Sequence, residues 1–243
     1  MNDRRVCLVT GASGTLGSAF CRERAEKYDI AAVWYRRRPV LAAQDQQVVD
    51  PVNPDAQLPE NDHPVLLVRA NVANQAQISR LVQAVLDRFG RIDVVINAAR
   101  FATWAPLLDS GKALEDFDRS FRVNVRGPLA VSLEVARQFW SLDSDENRAT
   151  NRSVVNISST AGLNVYPNLG QSVYSATKAA LNILTCHLAG ELAPLGVRAN
   201  VLAPNTFPAI VPIGRVLDGI EVLIESDATG QILMLDGAEQ AWL

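Results

Sequence analysis

The stretch Ser153–Lys178, SVVNISSTAGLNVYPNLGQSVYSATK, joins a buried strand to the beginning of a long helix. Its apolar, β-branched run Val154–Ile157 predicts a strand in the interior of a sheet. Tyr174 and Lys178 open a helix-compatible segment, and residues four apart lie on one face of a helix. The phenol and the ammonium group should therefore point the same way, beside the hydroxyl-bearing end of the strand.

These side chains suggest proton-transfer chemistry. Tyr174, Lys178 and a hydroxyl from Ser158 or Ser159 can together give a proton to a carbonyl oxygen or take one from an alcohol. An unperturbed tyrosine titrates at about pH 10, and a neighbouring lysine cation predicts a lower pKa for Tyr174. The same spacing occurs in many exposed helices. Further motifs in the chain are therefore needed to distinguish an active site from an exposed tyrosine–lysine pair.

Composition excludes several classes of protein. The chain has 243 residues, 48% of them apolar, and a net charge of −3, which gives no electrostatic reason to expect nucleic acid or an anionic membrane as a partner. We find no signal peptide and no apolar run of transmembrane length. Cys7, Cys21 and Cys186 lack metal or disulfide spacing and indicate a reducing cytoplasm. His63 and His187 are too isolated to predict a metal site.

The N-terminal segment is typical of a phosphate-binding turn. The strand Val6–Thr10 is followed at once by Gly11, Gly14 and Gly17 and then by a predicted helix over Ser18–Tyr28. In this arrangement backbone N–H groups and a helix N-terminus cradle the pyrophosphate of a dinucleotide.

The second predicted strand, Ile30–Tyr35, indicates which dinucleotide is bound. It ends in Arg36, Arg37 and Arg38, and no acidic residue occurs from Ile30 to Gln44. An acidic residue here would bind a ribose 2′-hydroxyl, whereas arginines suit a 2′-phosphate. The segment therefore favours NADP(H) over NAD; the alternative is that the arginines only solvate a strand end.

Strands alternate with helices through the remaining chain. We predict further strands at Val65–Val68, Ile92–Ile96, Val197–Leu202 and Gln231–Leu235, and helices at Gln75–Phe89, Ser172–Leu192 and Ile213–Glu225. A further helix starts within Asp109–Val125, and the helical pattern resumes after it through Trp140. Prolines predict a surface loop from Pro39 to Pro64, with room for a short helix at Val40–Val49, and Asp143–Arg152 reads as a second loop. The alternation predicts an α/β fold: a single doubly wound, mostly parallel Rossmann domain over residues 1–243.

Several motifs now stand in a characteristic order, and through them the chain resembles the short-chain dehydrogenase/reductase family over nearly its whole length. They are Thr10-Gly11 with Gly14 and Gly17, Asn97-Ala98-Ala99, Asn124, Ser159 three residues before Gly162, and the pair Tyr174 and Lys178.

The resemblance implies a hydride transfer assisted by proton transfer. Tyr174 would be the general acid in reduction and the base in oxidation. Lys178 would lower the tyrosine's pKa and bind the nicotinamide ribose. Ser159 would hold the substrate oxygen, and Asn124 would place a water that links Lys178 to solvent. Ser158 is the alternative for the serine.

Cofactor contacts are expected from the glycine turn, the arginine segment and the matched motifs. The predicted contacts are Gly11, Ser13, Gly14, Thr15, Leu16, Gly17, Tyr35, Arg36, Arg37, Asn71, Val72, Asn97, Ala98, Ala99, Tyr174, Lys178 and Pro204. Tyr166 is a weaker alternative to Tyr174, since no lysine follows it at four residues.

The chain departs from the family pattern at four positions. Thr15, Arg100 and Asn205 stand where glycine is usual, and Asn71 replaces a frequent aspartate at the adenine pocket. The departure at Arg100 is similar to the reductases that act on pteridines.

The segment after Asn205 is short. Thr206–Pro212 leads almost directly into the next helix where the family carries a substrate-covering lid, so the cleft should be open on that side. It could then admit a bulky or carrier-bound substrate, or be closed by another subunit. Asn164–Gln171, Phe101, Trp104 and Leu107 are candidate replacement walls.

The leading hypothesis is an NADPH-dependent reductase of a ketone or similar carbonyl, acting on a small molecule in the cytoplasm. A pteridine or other C=N reductase is one alternative, and a cofactor-binding sensor or scaffold without catalysis is another. The resemblance also implies a homodimer or homotetramer, packed through the helices around Val123–Trp140 and Ser172–Leu192 and near the C-terminus.

Overall fold

The computed structural model of the chain describes residues 4–40, 47–49, 65–108 and 110–243. Nine strands lie within these residues: β1 (Val6–Thr10), β2 (Asp29–Trp34), β3 (Gln47–Val49), β4 (Val65–Arg69), β5 (Val94–Asn97), β6 (Ser153–Ile157), β7 (Arg198–Pro204), β8 (Ile232–Asp236) and β9 (Glu239–Trp242). The α-helices in the same ranges are α1 (Thr15–Glu23), α2 (Gln75–Phe89), α3 (Ser110–Glu115), α4 (Phe117–Phe121), α5 (Gly127–Gln138), α6 (Ser144–Ala149), α7 (Ser172–Leu192) and α8 (Ile213–Glu225).

The strands form one sheet in the order β3-β4-β2-β1-β5-β6-β7-β8-β9. Its pairs are parallel except for β8 with β9. The chain leaves β1 toward one edge and then returns to place β5 on the other side of β1. Ligands of open α/β sheets bind in the crevice at such a reversal of strand order.

Helices cover both faces of the sheet, as the doubly wound prediction requires. Along β1, Cys7 and Val9 pack toward α1 and α8, while Val6 and Leu8 pack toward α2, α5 and α7. Because side chains alternate between the two faces of a strand, a strand buried on both sides reads as a continuous apolar run. This confirms the fold class. Among the described helices, none combines the length and the apolar character of a membrane span.

Two predicted elements on the helical faces differ from the structure. The first helix begins at Thr15 rather than Ser18 and ends at Glu23, so it starts inside the glycine turn. The segment 143–152 is not a simple loop, because it contains α6, whose N-cap Asp143 accepts hydrogen bonds from the N–H groups of Asp145 and Glu146. A cap of this kind offsets the weak helix propensity of a short polar segment.

The sheet also extends further than predicted at both edges. Of the proposed short helix at Val40–Val49, residues 47–49 form strand β3, and residues 41–46 lie outside the described residues, as do 50–64. At the other edge, β8 is followed by β9 after the turn at Gly237 (φ +53°), a strand the sequence analysis missed. The segment between β7 and α8 is short, as expected for an abbreviated lid.

Candidate active site

The crevice at the strand reversal is built by two tight backbone approaches. Gly11 has φ +74°, and a β-carbon there would lie 2.7 Å from Cα of Ala99, so the turn after β1 touches the chain after β5. The N–H of Ala99 donates to Oγ1 of Thr10 at 3.2 Å and holds this contact. At Gly17 a β-carbon would collide with the carbonyl oxygen of Gly11. Only glycine fits at both positions, which is the arrangement expected where a backbone must approach a phosphate.

A cavity of about 890 Å³ runs along the carboxyl ends of the strands from this turn to α7. Every residue predicted to contact the cofactor lines it except Asn97. Ser159, Tyr174 and Lys178 also line the cavity, whereas Asn124 does not. The structure therefore brings together residues that are far apart in sequence, as the motif order suggested.

The end of the cavity beside β2 carries the arginines that follow this strand. Arg36 and Arg37 line it, and Arg37 donates from Nη2 to the carbonyl oxygen of Ser13 at 2.9 Å, so its charge lies over the glycine turn. Asn71 also lines the cavity, and its Oδ1 accepts from the N–H of Ala73 at 3.0 Å. Two guanidinium groups beside a helix N-terminus form a suitable environment for phosphate.

Asn97 lies behind the cavity wall. Its side chain is 2% exposed and donates to Oδ1 of Asn156 at 2.8 Å, with longer bonds to Oγ of Ser132 and the carbonyl oxygen of Pro128. It joins β5 to β6 and to α5. Its side chain therefore supports the crevice rather than forming its surface.

Asn124 sits in a single π-helical turn, Arg122–Arg126, between α4 and α5. Its Oδ1 accepts from the N–H of Phe101 at 2.7 Å, and its Nδ2 donates to the carbonyl oxygen of Phe101 at 2.7 Å and to Oγ1 of Thr177 at 3.1 Å. Both amide donors are thus used by protein atoms. Turns of this type are frequent at functional sites, and here the turn aims a buried amide at the chain after β5.

Ser159 is placed by the close packing of the turn after β6 against α7. Its Oγ accepts from the N–H of Ala161 at 3.2 Å. A β-carbon at Gly162 would lie 2.7 Å from the backbone carbonyl carbon of Lys178, so the glycine lets this turn rest on the helix. Ser158, the alternative serine, is buried and donates to the carbonyl oxygen of Lys178 at 3.3 Å.

Tyr174 is buried at the wall of the cavity, and the edge of Trp104 meets its ring at a centroid distance of 5.3 Å. Burial raises the pKa of Tyr174, and the charge of Arg100 together with hydrogen bonds from Ser159 and Arg100 offsets part of that rise. The predicted direction of the pKa shift was wrong, because desolvation outweighs the cationic neighbours.

Lys178 does not supply the cation that the sequence analysis expected. Its Nζ donates to the carbonyl oxygen of Ile157 at 2.7 Å and lies 5.7 Å from the Tyr174 ring centroid. Burial, followed by the positive charge of Arg100, lowers the pKa of Lys178 to about 7. The permanent cation beside the phenol is therefore Arg100.

The walls at the substrate end come mostly from the predicted segments. Phe101 and Trp104 line the cavity, and residues 164–171 contribute Tyr166, Leu169 and Gln171. Tyr166 donates to Oγ1 of Thr160 at 3.0 Å. Leu107 is not part of the wall, since its side chain is 62% exposed outside the cavity.

Arg119 was missed by the sequence analysis. It lines the cavity from α4, with its guanidinium carbon 3.9 Å from the centroid of the Phe101 ring. The sequence around Arg119 contains no motif that predicts a site residue, because only the fold brings α4 close to the carboxyl end of β5.

Comparison with known proteins agrees with this geometry. The family model for short chain dehydrogenases matches residues 5–209, and the chain belongs to that family of oxidoreductases. A 3-oxoacyl-(acyl-carrier-protein) reductase of Thermotoga maritima is 30% identical over 264 residues, covering 96% of each chain. A protein of the same description from Synechocystis is 33% identical, over 83% of this chain and 73% of the relative.

The fold also matches solved structures. The NADP-bound structure of ElxO superposes with a TM-score of 0.76 at 22% identity, covering 96% of this chain and 98% of the other. At this level of identity the match concerns the fold alone.

Proposed function

We propose that the protein catalyses the reversible NADPH-dependent reduction of a ketone or similar carbonyl to an alcohol. The observation that carries the proposal is the grouping of Tyr174, Ser159 and Lys178 at one end of a cavity whose other end carries Arg36 and Arg37. Proton-transfer groups lie at one end and phosphate-binding groups at the other, as an NADPH-dependent reductase requires.

A nicotinamide dinucleotide fits the residues of the cavity. Gly11 and Gly17 permit the tight turn after β1, since a β-carbon at either position would collide with backbone atoms, and Arg36 and Arg37 suit a ribose 2′-phosphate. Ala98, Ala99 and Pro204 would border the nicotinamide half. When bound, this cofactor supplies the hydride.

The protein's own part in the reaction is to move a proton. Tyr174 would donate its phenolic proton to the carbonyl oxygen as that oxygen gains negative charge, and Ser159 would hold the same oxygen by a hydrogen bond. Because burial raises the pKa of Tyr174, the phenol is protonated at neutral pH and ready to act as an acid. A positioned acid of this kind contributes about 10²- to 10⁴-fold in rate.

The short segment between β7 and α8 suggests the size of substrate. Thr206, Phe207 and Ile210 line the cavity there without a longer covering segment, which is compatible with a bulky or carrier-bound substrate. The two relatives described as 3-oxoacyl reductases support testing 3-oxo compounds first.

We also infer a homodimer or homotetramer in the cytoplasm. Leu133 on α5 and Ile183 on α7 are 43% and 62% exposed, and packing against a second copy would bury them. Light scattering should give the mass of a dimer or tetramer, and Ile183→Glu should shift it toward the monomer.

The reductase proposal is tested by following NADPH oxidation with a panel of ketones, 3-oxo acids and 3-oxoacyl thioesters. The wild type should reduce members of the panel, and Tyr174→Phe should lose about 10²-fold or more in kcat while binding NADPH as before. NADPH binding without turnover of any carbonyl would favour a cofactor sensor and overturn the proposal.

A further inference from the structure

The charges around the cavity are all of one sign. Its charged lining residues are Arg36, Arg37, Arg100, Arg119 and Lys178, and no described carboxylate lines it. The protein as a whole has a net charge of −3, so this concentration of cations is local. Arg36 and Arg37 lie at the adenosine end, which leaves Arg100 and Arg119 unexplained at the other.

Arg100 lies close to the reacting groups. It directly follows the Asn97-Ala98-Ala99 segment at the carboxyl end of β5 and lines the same cavity as Tyr174, and its positive charge acts on the pKa of that phenol. The next residue, Phe101, is held at both backbone groups by Asn124, so the backbone that carries Arg100 is fixed. A carbonyl oxygen accepting a proton from Tyr174 would lie in the cavity that the guanidinium also lines.

Among the described residues, no carboxylate pairs with this guanidinium. Within the described ranges, neither Arg100 nor Arg119 forms a salt bridge. Arginine carries five N–H donors in a planar fork that matches a carboxylate. The charge of Arg100 also lowers the pKa of the buried Lys178, so the two groups share a region of positive potential that a bound anion would stabilise.

We propose that Arg100 determines substrate class by binding a carboxylate attached to the reacting carbonyl carbon or one carbon away, so that the preferred substrates are 2-oxo or 3-oxo acids. Arg119, at the face of Phe101, adds positive charge at the entrance to the same region. This inference rests on the proposed reductase activity and narrows its substrate.

The test compares acids with uncharged partners of the same skeleton. Reduction of 2-oxobutanoate and acetoacetate is measured beside that of their methyl esters, for the wild type, Arg100→Met and Arg100→Lys. Arg22→Met is the matched control, since Arg22 is an exposed arginine on α1 outside the cavity. The acid-to-ester ratio of kcat/KM is compared between proteins, so that differences in intrinsic reactivity cancel.

We expect Arg100→Met to lower this ratio by about 10- to 100-fold, the effect of one charged hydrogen-bonded contact. Arg100→Lys should recover part of it, and Arg22→Met should leave it unchanged. NADPH affinity, measured by fluorescence, should change little in all three variants.

Three results would overturn the inference. One is an acid-to-ester ratio that stays the same in Arg100→Met while esters are still reduced, which leaves the reductase proposal intact. Another is a loss of NADPH affinity in Arg100→Met with an unchanged ratio, which would assign the arginine to the cofactor. The third is NADPH binding by the wild type with no reduction of any acid, ester or thioester, which overturns the reductase proposal as well.

Discussion

Asn124 holds Phe101 at both of its backbone groups, accepting from the N–H and donating to the carbonyl oxygen at 2.7 Å each. A side-chain amide that pairs with a backbone in this way acts like one more strand neighbour. It fixes the chain just after β5, where none of the described strands forms backbone–backbone hydrogen bonds with it. Arg100 and the cavity wall therefore depend on a residue that does not itself line the cavity.

Replacement of this amide should destabilise the protein. Asn124→Leu leaves the N–H and carbonyl of Phe101 without partners in a partly buried place, which costs about 1–3 kcal/mol for each group. We expect the free energy of unfolding, measured by urea denaturation, to fall by about 2–5 kcal/mol. Asn164→Leu is the control at an exposed asparagine and should shift the midpoint little; equal losses in the two variants would contradict the role given to Asn124.

The glycine turn allows a second comparison of matched variants, Gly17→Ala and Gly190→Ala. In Gly17→Ala the new methyl group would collide with the carbonyl oxygen of Gly11 and lie 2.8 Å from Cα of Ala12. We expect a loss of about 1–3 kcal/mol in stability and weaker NADPH binding. Gly190→Ala, in the last turn of α7 with open space around it, should instead stabilise by about 0.5–1 kcal/mol. Thermal denaturation separates the two, and a tolerated Gly17→Ala would show that the turn has room to move.

Cofactor choice should depend on Arg36 and much less on Arg38. Both are exposed arginines after β2, but only Arg36 lines the cavity. If Arg36 binds a 2′-phosphate, Arg36→Ala should raise the KM for NADPH by about 10- to 100-fold and leave that for NADH nearly unchanged. Arg38→Ala should alter neither. A wild type that prefers NADH would refute the assignment at once.

The depressed pKa of Lys178 predicts a dependence of stability on pH. The pKa falls from 10.5 to about 7 on folding, so at about pH 7 to 9 the unfolded chain holds a proton that the folded protein has released. Stability should therefore rise with pH over this window, by up to about 1.4 kcal/mol per unit. The raised pKa of Tyr174 has the opposite effect, but only near and above its ordinary value of 10.0.

Urea denaturation across this pH range measures the effect. The difference in unfolding free energy between the wild type and Lys178→Met should grow as the pH rises from about 7 to 9. Lys112→Met, at an exposed lysine, should follow the wild type. A constant difference between wild type and Lys178→Met would mean that Lys178 keeps its charge when buried.

Much of this protein follows from local patterns in its sequence. The apolar runs of β1, β4 and β6 predict buried strands, because a strand that is buried on both faces is apolar throughout. The apolar stripe of α2 predicts an amphipathic helix, because a helix that is buried on one face has apolar residues three or four positions apart. Gly11 and Gly17 were recognisable because a tight turn from a strand into a closely packed helix excludes a β-carbon. Tyr174 and Lys178 could be paired because a helix fixes the relation of residues four apart.

Only the tertiary structure decided the electrostatics of the site. The sequence placed a lysine beside Tyr174, but packing turns that ammonium group toward Ile157 and buries it, while the fold brings Arg100 from the end of β5 to the phenol. Desolvation and charge–charge interaction depend on distances and burial across the whole chain, and these are not encoded in any local spacing. The sequence determined which groups meet at the mouth of the sheet, and the packing determined which of them carries the charge.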